Sequence, residues 1–190
     1  MTATASSSIT ADDFLVMPEN EGAELVDGEI VEVPMGSISS WIGGRLHTFV
    51  DMFLLSNNLG WAFPQETGIA IWPGESRRVR KPDLTYLRHG RLPGNRLQEG
   101  WLTVVPDLVA EVVSPRDLAE DLEQKLAEYR EAGIPLIWVI YPSTRSAQIL
   151  GAGRQRSELG PAGVLDGEDI LPGFSLALAD LFPPAAGEPA

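Results

Sequence analysis

The sequence contains no cysteine and only two histidines, His47 and His89, and these shortages exclude several kinds of chemistry. Without cysteine, the chain cannot form disulfides, zinc–thiolate sites or a cysteine nucleophile. With two histidines, it cannot build a histidine-rich metal site. Any metal that binds this chain would therefore take mainly oxygen ligands, which favours magnesium or manganese.

Long apolar runs are also missing. No stretch approaches the roughly 20 apolar residues that a membrane helix needs, and the N-terminus lacks the charged flank and apolar segment of a signal peptide. We therefore expect a cytoplasmic protein that does not associate with membranes. Its 190 residues, 44% hydrophobic and 22% charged, predict one globular domain over residues 11–182, with disordered ends at 1–10 and 183–190.

The charge of the chain is strongly negative but unevenly distributed. A formal net charge of −13 argues against nonspecific coating of nucleic acid, because phosphate binding draws its affinity from Lys and Arg. Yet seven of the 14 basic residues fall between positions 77 and 96, where Asp83 is the only acid. Two interpretations of this run stay open: a solvated loop, or a local anion-binding surface.

The hydrophobic pattern predicts an α/β (α+β) domain. Asp27-Gly28 is a strong hairpin turn signal between two short strands, and apolar residues at helical spacing predict a long helix. The predicted strands span residues 23–26, 29–34, 61–64, 68–72, 82–87, 107–113, 136–141 and 147–150. The predicted helices span residues 11–17, 37–56 and 115–132, and a hairpin with a final helical turn is predicted within 154–182.

Glu111 lies in the middle of a nearly continuous apolar run, residues 108–113, which is typical of a strand covered on both faces. Burying a lone carboxylate costs several kcal/mol unless it is paired, hydrogen-bonded or bound to metal. Lys125 falls on the apolar stripe of the next predicted helix, where a lysine is an exception. Three interpretations of Lys125 stay open: a stem that snorkels to solvent, a structural ion pair with Glu111, or a functional pair.

Several segments in order resemble a known family. They are RKPDL at residues 80–84, PDLVAEVVSP at 106–115, KLAEY at 125–129 and GIPLIWVI at 133–140, together with AELVDGEIVE at 23–32 and LPGF at 171–174. This set is similar to the Uma-type restriction-endonuclease family, once described as a domain of unknown function, within the PD-(D/E)XK nuclease superfamily. The resemblance covers roughly residues 11–182.

The resemblance implies a restriction-endonuclease-like core, in which a mixed central sheet is flanked by helices and accompanied by N-terminal and C-terminal hairpins. It implies a metal-dependent endonuclease that acts on DNA, with Mg²⁺ or Mn²⁺ as cofactor. Asp83, Glu111 and the backbone carbonyl of Val112 match the metal ligands, and Lys125 matches a lysine that this family carries on the helix. Glu24 matches a further acid of such sites, although a solvent-facing hairpin residue explains it equally well; Gln65-Glu66 is a weaker candidate.

Further expectations follow from this resemblance. Arg77, Arg78 and Arg80 are candidates for contacts with the substrate backbone. Because cleavage of two strands generally takes two active sites, we expect a homodimer. The long helix with Trp41, Phe49 and Phe53 could form that contact, and an ordinary core helix explains its pattern equally well.

Two departures and two alternatives accompany the nuclease interpretation. Val113 stands where the superfamily usually has its lysine, so Lys125 must reach the same point in space, and Ser39 stands where family members often have a histidine. A nuclease fold with little activity could instead serve as a binding or assembly module, because fold does not fix function. Paired carboxylates also occur in glycosidases, which work without metal, but a core lysine beside them fits that class poorly.

Overall fold

The computed structural model describes residues 8–33, 36–115, 117–151 and 156–184, and the predictions made for other residues lie outside these ranges. The disorder predicted for both ends of the chain therefore stays a prediction. The helices and strands of the described residues are α1 (Ala11–Leu15), β1 (Ala23–Val26), β2 (Glu29–Glu32), α2 (Ser37–Asn57), β3 (Gly60–Pro64), β4 (Leu84–Arg88), β5 (Leu108–Val112), α3 (Ala119–Glu131), β6 (Leu136–Tyr141), β7 (Ser146–Leu150), β8 (Arg156–Leu159), β9 (Val164–Asp166) and β10 (Ser175–Ala177).

A six-stranded mixed sheet, in the order β3-β4-β5-β6-β7-β8, forms the centre of the molecule. Only β5 and β6 pair in parallel, and α3 is the crossover between them, because parallel neighbours cannot be joined by a tight turn. The other neighbouring pairs of this sheet are antiparallel. The predicted fold class, a mixed sheet flanked by helices, is confirmed.

The two faces of the sheet are covered by different helices, as the alternation along β5 shows. Leu108 and Ala110 belong to the core cluster that contains the buried face of α2. Val109 belongs to the cluster that contains Leu126 and Tyr129 of α3. Because side chains alternate along a strand, Glu111 projects toward α3, and it does so near the end of β5.

A small hairpin lies beside the main sheet and carries Glu24 to it. β1 and β2 pair through the turn at Asp27-Gly28, where both residues have positive φ, as the sequence predicts. The backbone of Leu25 in β1 bonds reciprocally to that of Val79. Within the described part of the chain, no helix is long and apolar enough to cross a bilayer.

The helix after β5 begins later than predicted. α3 starts at Ala119 rather than at residue 115, because the Ser114 amide donates to the Asp117 carboxylate (2.7 Å) and closes a separate turn. A serine followed three residues later by an acid predicts a helix start, and the same exchange of hydrogen bonds also stabilises an isolated turn. Leu118, which precedes the first residue of α3, is consequently 66% exposed.

Two strand predictions also need correction. Residues 68–72 do not form a regular strand, and Ile69 makes only isolated bridges with Arg80 and Leu102. The C-terminal region contains more than a hairpin, since β8 joins the main sheet as its edge strand. β9 and β10 form the predicted antiparallel pair, and a short 3₁₀ turn follows at Leu178–Leu181.

Candidate active site

A cleft of about 340 Å³ lies where the end of β5 meets β1, α3 and the segment before β4. Glu24, Asp83, Glu111 and Lys125, which come from four separate parts of the sequence, all line it. The structure therefore brings the predicted site residues together, and Val112 lines the same cleft.

Glu111 is held by two side chains of α3. The Tyr129 hydroxyl donates to Glu111 Oε1 at 2.6 Å, and Lys125 Nζ lies 3.4 Å from Glu111 Oε2. Burial raises the pKa of Glu111 above its ordinary value, an effect that Lys125 and Tyr129 only partly offset. Both carboxylate oxygens are thus oriented before any ligand arrives.

Lys125 lies between two carboxylates and does not snorkel to solvent. Its Nζ is 3.0 Å from Glu24 Oε1 as well as 3.4 Å from Glu111, and its side chain is 14% exposed. Burial alone would lower the pKa of Lys125, but Glu111 and Glu24 outweigh it and the pKa is raised. Lys125 therefore keeps a full positive charge in the cleft, beside Glu111, and its replacement of the usual lysine at position 113 stays a prediction.

Glu24 is engaged on both of its carboxylate oxygens. Oε2 accepts from Arg80 at 2.9 Å, and Oε1 accepts from the backbone amide of Lys81 at 2.8 Å, beside Lys125. Burial by itself would raise the pKa of Glu24, but the charges of Lys125 and Arg80 outweigh it, so the pKa is lowered. Glu24 is therefore an anchor for the two cations rather than a free ligand.

Arg80 joins this cluster to a second acid on α3. Its guanidinium bonds in a fork to Glu128, with contacts of 2.7 and 2.8 Å, and its third contact is Glu24. Fork-shaped pairs of this kind fix orientation as well as charge. Arg80 is 5% exposed, and this geometry favours a positioning role; its contact with substrate stays a prediction.

Asp83 differs from the other acids of the cleft. Its Oδ2 accepts from the Val112 amide at 2.6 Å, and Gly43 of α2 packs against its side chain. No Lys or Arg among the described residues forms an ion pair with it. Burial and the nearby Glu111 raise the pKa of Asp83 to about 8, despite the Val112 hydrogen bond.

The charges of the cluster do not balance. Three cations, Arg78, Arg80 and Lys125, pair with three of its four carboxylates, and Asp83 forms no ion pair within the described residues, so one negative charge is in excess when all four are ionised. The Lys81 ammonium does not relieve it, because it bonds to the Asn20 carbonyl and faces the rings of Phe14 and Trp101. The four carboxylates belong to Glu24, Asp83, Glu111 and Glu128.

The donors in the cleft fit a hard divalent cation. Asp83 and Glu111 supply oxygen ligands, and a bound cation would offset the burial and the neighbouring negative charge that raise both of their pKa values. In the part of the chain that the structure describes, no three His, Asp or Glu side chains form a metal cage. This donor set suits Mg²⁺, which is usually held by one or two carboxylates and otherwise keeps its waters.

The remaining predicted residues lie partly in the cleft and partly outside the residues that line it. Arg77 is half exposed and pairs with Glu75, and Arg78 pairs with Asp27 at the β1–β2 turn. Ser39 lines the cleft, where its hydroxyl exchanges hydrogen bonds with the Gly36 backbone. Gln65 also lines the cleft, whereas its neighbour at position 66 is exposed.

Sequence reasoning missed the supporting residues Tyr129 and Glu128. Tyr129 packs in the core on the apolar face of α3, and nothing in a periodic pattern shows where its hydroxyl bonds. Glu128 follows Lys125 by three residues, which places the two side chains next to each other on the helix. A second charged residue beside the exceptional lysine was the signal that the sequence offered, and the structure shows Glu128 to be 5% exposed. Such neighbours orient the residues that meet the ligand.

Comparisons with known proteins identify a family and a fold. A model of the family described as "Uma2: Putative restriction endonuclease" matches residues 11–179. Among solved structures, the fold is similar to that of a "putative nuclease belonging to DUF820" from Anabaena variabilis, with a TM-score of 0.76 and 21% identity over 92% of this chain and 97% of that chain. At that identity the likeness shows the fold alone. No curated protein matches the sequence.

Proposed function

This chain belongs to the Uma2 family, whose description is "Putative restriction endonuclease", and on that premise we propose that it is a metal-dependent endonuclease that hydrolyses phosphodiester bonds in DNA. The observation that carries the proposal is the meeting of Asp83, Glu111 and Lys125 in one cleft with an excess of negative charge. Two acids can hold a metal ion that activates water, and a charged lysine beside them can stabilise the negative charge that develops on the phosphate.

The proposed cofactor is Mg²⁺ or Mn²⁺. Asp83 and Glu111 would hold it, with the backbone oxygen of Val112 as a further ligand. When bound, it would activate water and neutralise charge on the phosphate. Asp83 would give up its proton on binding, which its raised pKa permits near neutral pH.

The roles of the other residues follow from their contacts. Lys125, charged and 3.4 Å from Glu111, would stabilise negative charge that develops on the substrate. Tyr129 holds Glu111 in one orientation, and the two ion pairs of Glu24 fix the positions of the Lys125 ammonium and the Arg80 guanidinium. Arg77 is half exposed and lies outside the residues that line the cleft, so its contact with the substrate backbone would need a substrate that extends beyond the cleft.

A second candidate function is a binding or assembly module with a nuclease fold. The observation that favours it is charge: acids outnumber bases in the cleft, and the cations there are engaged by the protein itself. A module of this kind would bind its partner without divalent metal. The metal requirement of any nucleic-acid binding or cleavage therefore separates the two functions.

Cleavage of supercoiled plasmid DNA tests the proposed function. We expect nicking with Mg²⁺ or Mn²⁺ and none in chelator, and a loss of roughly 100-fold or more in Asp83→Asn and Lys125→Met. Arg130→Met, at an exposed position of the same helix, is the matched control and should cut like the wild type. Equal cleavage by all four proteins, or none by the wild type on duplex and single-stranded DNA, would contradict the proposal.

Tyr129→Phe tests whether the tyrosine positions Glu111. Removing the hydroxyl deletes the 2.6 Å hydrogen bond while keeping the ring in the core, so we expect about tenfold slower cleavage and a higher Mg²⁺ concentration at half-maximal rate. Tyr141→Phe, which loses a bond to Gln148 outside the cleft, is the control. A merely structural Tyr129 would lower the melting temperature without moving the Mg²⁺ midpoint.

A further inference from the structure

The outward face of α2 carries an exposed apolar stripe. Ile38, Trp41, Met52 and Leu55 are 56%, 44%, 61% and 80% exposed, although the opposite face of the same helix is buried in the core. With Arg45 and Thr48 between them, these residues follow one another at spacings that alternate between three and four, which places them on one line along the helix. We call these six residues the outer stripe.

The outer stripe is also depleted of charge. Arg45 is the single charged residue among the exposed positions of α2, on a chain whose net charge is −13. Its guanidinium does not project freely: Nε donates to the Asp180 carbonyl at 2.6 Å, and the group lies 5.1 Å from the rings of both Trp41 and Phe49. The stripe therefore presents a nearly neutral apolar surface.

We propose that the outer stripe is the contact between two copies of this chain, with their α2 helices antiparallel about a two-fold axis. The order of the spacings reads the same in both directions along the helix. Antiparallel pairing therefore places Ile38 opposite Leu55 of the partner subunit and Trp41 opposite Met52 of the partner subunit. Arg45 then faces Thr48 of the partner subunit, so no two arginines meet at the axis. A surface that is complementary to itself is what a two-fold contact requires.

The charge of the chain favours a second copy, rather than nucleic acid, as the partner of the outer stripe. Most of a surface with a net charge of −13 repels a second copy, whereas the outer stripe contains no acid and the one acid of α2, Asp51, is only partly exposed, so two copies can approach here. Nucleic acid fits the stripe poorly, because phosphates need several basic residues and the one arginine here is engaged internally.

The stripe spans 18 residues, about 27 Å of helix. One helix pair buries less than the ~800 Å² per partner of a standard interface, so we expect micromolar dissociation.

Sedimentation velocity over a concentration series tests the contact. We expect the mass to rise toward twice the chain mass of 20.6 kDa in the wild type and to stay at 20.6 kDa in Met52→Glu, because that change sets a charge against Trp41 of the partner subunit. Leu97→Glu alters an equally exposed leucine away from α2 and should dimerise like the wild type. A monomeric wild type at about 100 μM, well above micromolar dissociation, or a dimeric Met52→Glu, would overturn the proposal.

Disulfide trapping gives a second, independent test that does not depend on the folding of Met52→Glu. Because the chain has no cysteine, Ile38→Cys/Leu55→Cys introduces the only thiols, and their separation along one helix prevents a bond within one chain. The antiparallel pairing brings each new cysteine opposite its counterpart in the partner subunit. Mild oxidation should then yield a covalent dimer from the double variant and none from Ile38→Cys alone. Equal trapping of both variants, or none, would overturn the proposed pairing.

Discussion

Asp83→Asn is expected to stabilise the metal-free protein at pH 8, by about 2–3 kcal/mol, while removing the proposed activity. Asp83 is buried, has no ion-pair partner among the described residues and lies beside Glu111, so its ionised form opposes folding. The amide of asparagine is uncharged and still accepts the hydrogen bond of the Val112 amide. A functional site that is under strain without its ligand commonly behaves in this way.

The pH dependence of this effect has a definite sign. The folded-state pKa of Asp83 is raised to about 8 from 3.8, so between these values the unfolded chain loses a proton that the folded protein keeps. Asp83 therefore lowers the stability of the wild type progressively as pH rises from about 4 to about 8. Asparagine does not titrate, so the advantage of Asp83→Asn should grow across that window and level off above it.

Urea unfolding in chelator at pH 5, 6.5 and 8 measures this dependence. Asp107→Asn is the matched control, because Asp107 is also buried and also accepts a backbone amide, that of Arg88, yet lies near the cation of Arg91. It should not gain stability. Adding Mg²⁺ should stabilise the wild type and not Asp83→Asn, if Asp83 is a metal ligand. An Asp83→Asn protein no more stable than the wild type at pH 8 would contradict the proposed environment of Asp83.

The elements that sequence predicted well are those whose signal is local. The apolar spacing along α2 reflects the one face of the helix that packs on the core, and the continuous apolar run of β5 reflects a strand covered on both faces. Both elements lie within a residue or two of the predicted bounds. Lys125 was found for the same reason, as an exception within a periodic stripe. Asp83 was identified through resemblance, because an acid before a strand is common and carries no periodic signal.

What the sequence could not show depends on contacts between distant segments. Arg80 and Glu128 are 48 positions apart, and no pattern in the sequence around either residue identifies the other as its partner. The start of α3 was misplaced because Ser114 and Asp117 exchange hydrogen bonds that suit a helix cap and an isolated turn equally. The basic run from 77 to 96 was open to two interpretations, and most of its members bond within the molecule, as Arg88 does to the Asp169 and Ile170 carbonyls.

Arg80→Met is expected to lower the free energy of unfolding by about 3–5 kcal/mol. Arg80 is 5% exposed and is shared by Glu24 and Glu128, so its removal leaves two buried carboxylates with only part of their compensation. Folding still removes those carboxylates from water, and after the substitution the attraction to the Arg80 guanidinium no longer offsets that free-energy cost. Methionine fills most of the volume, which confines the loss to charge. Arg91→Met, half exposed and 3.9 Å from Asp107, should cost less than about 0.5 kcal/mol.

A double variant separates lost charge from lost packing. If the cost of Arg80→Met comes from uncompensated carboxylates, then adding Glu128→Gln should restore about 1–2 kcal/mol, because the buried amide needs no counter-charge. Urea unfolding of the wild type, both single variants and the double variant gives the coupling energy directly. A double variant as unstable as the sum of its single changes would assign the loss to packing. In that case Arg80 would be a filler of the core rather than the residue that fixes Glu24, and through Glu24 the position of Lys125.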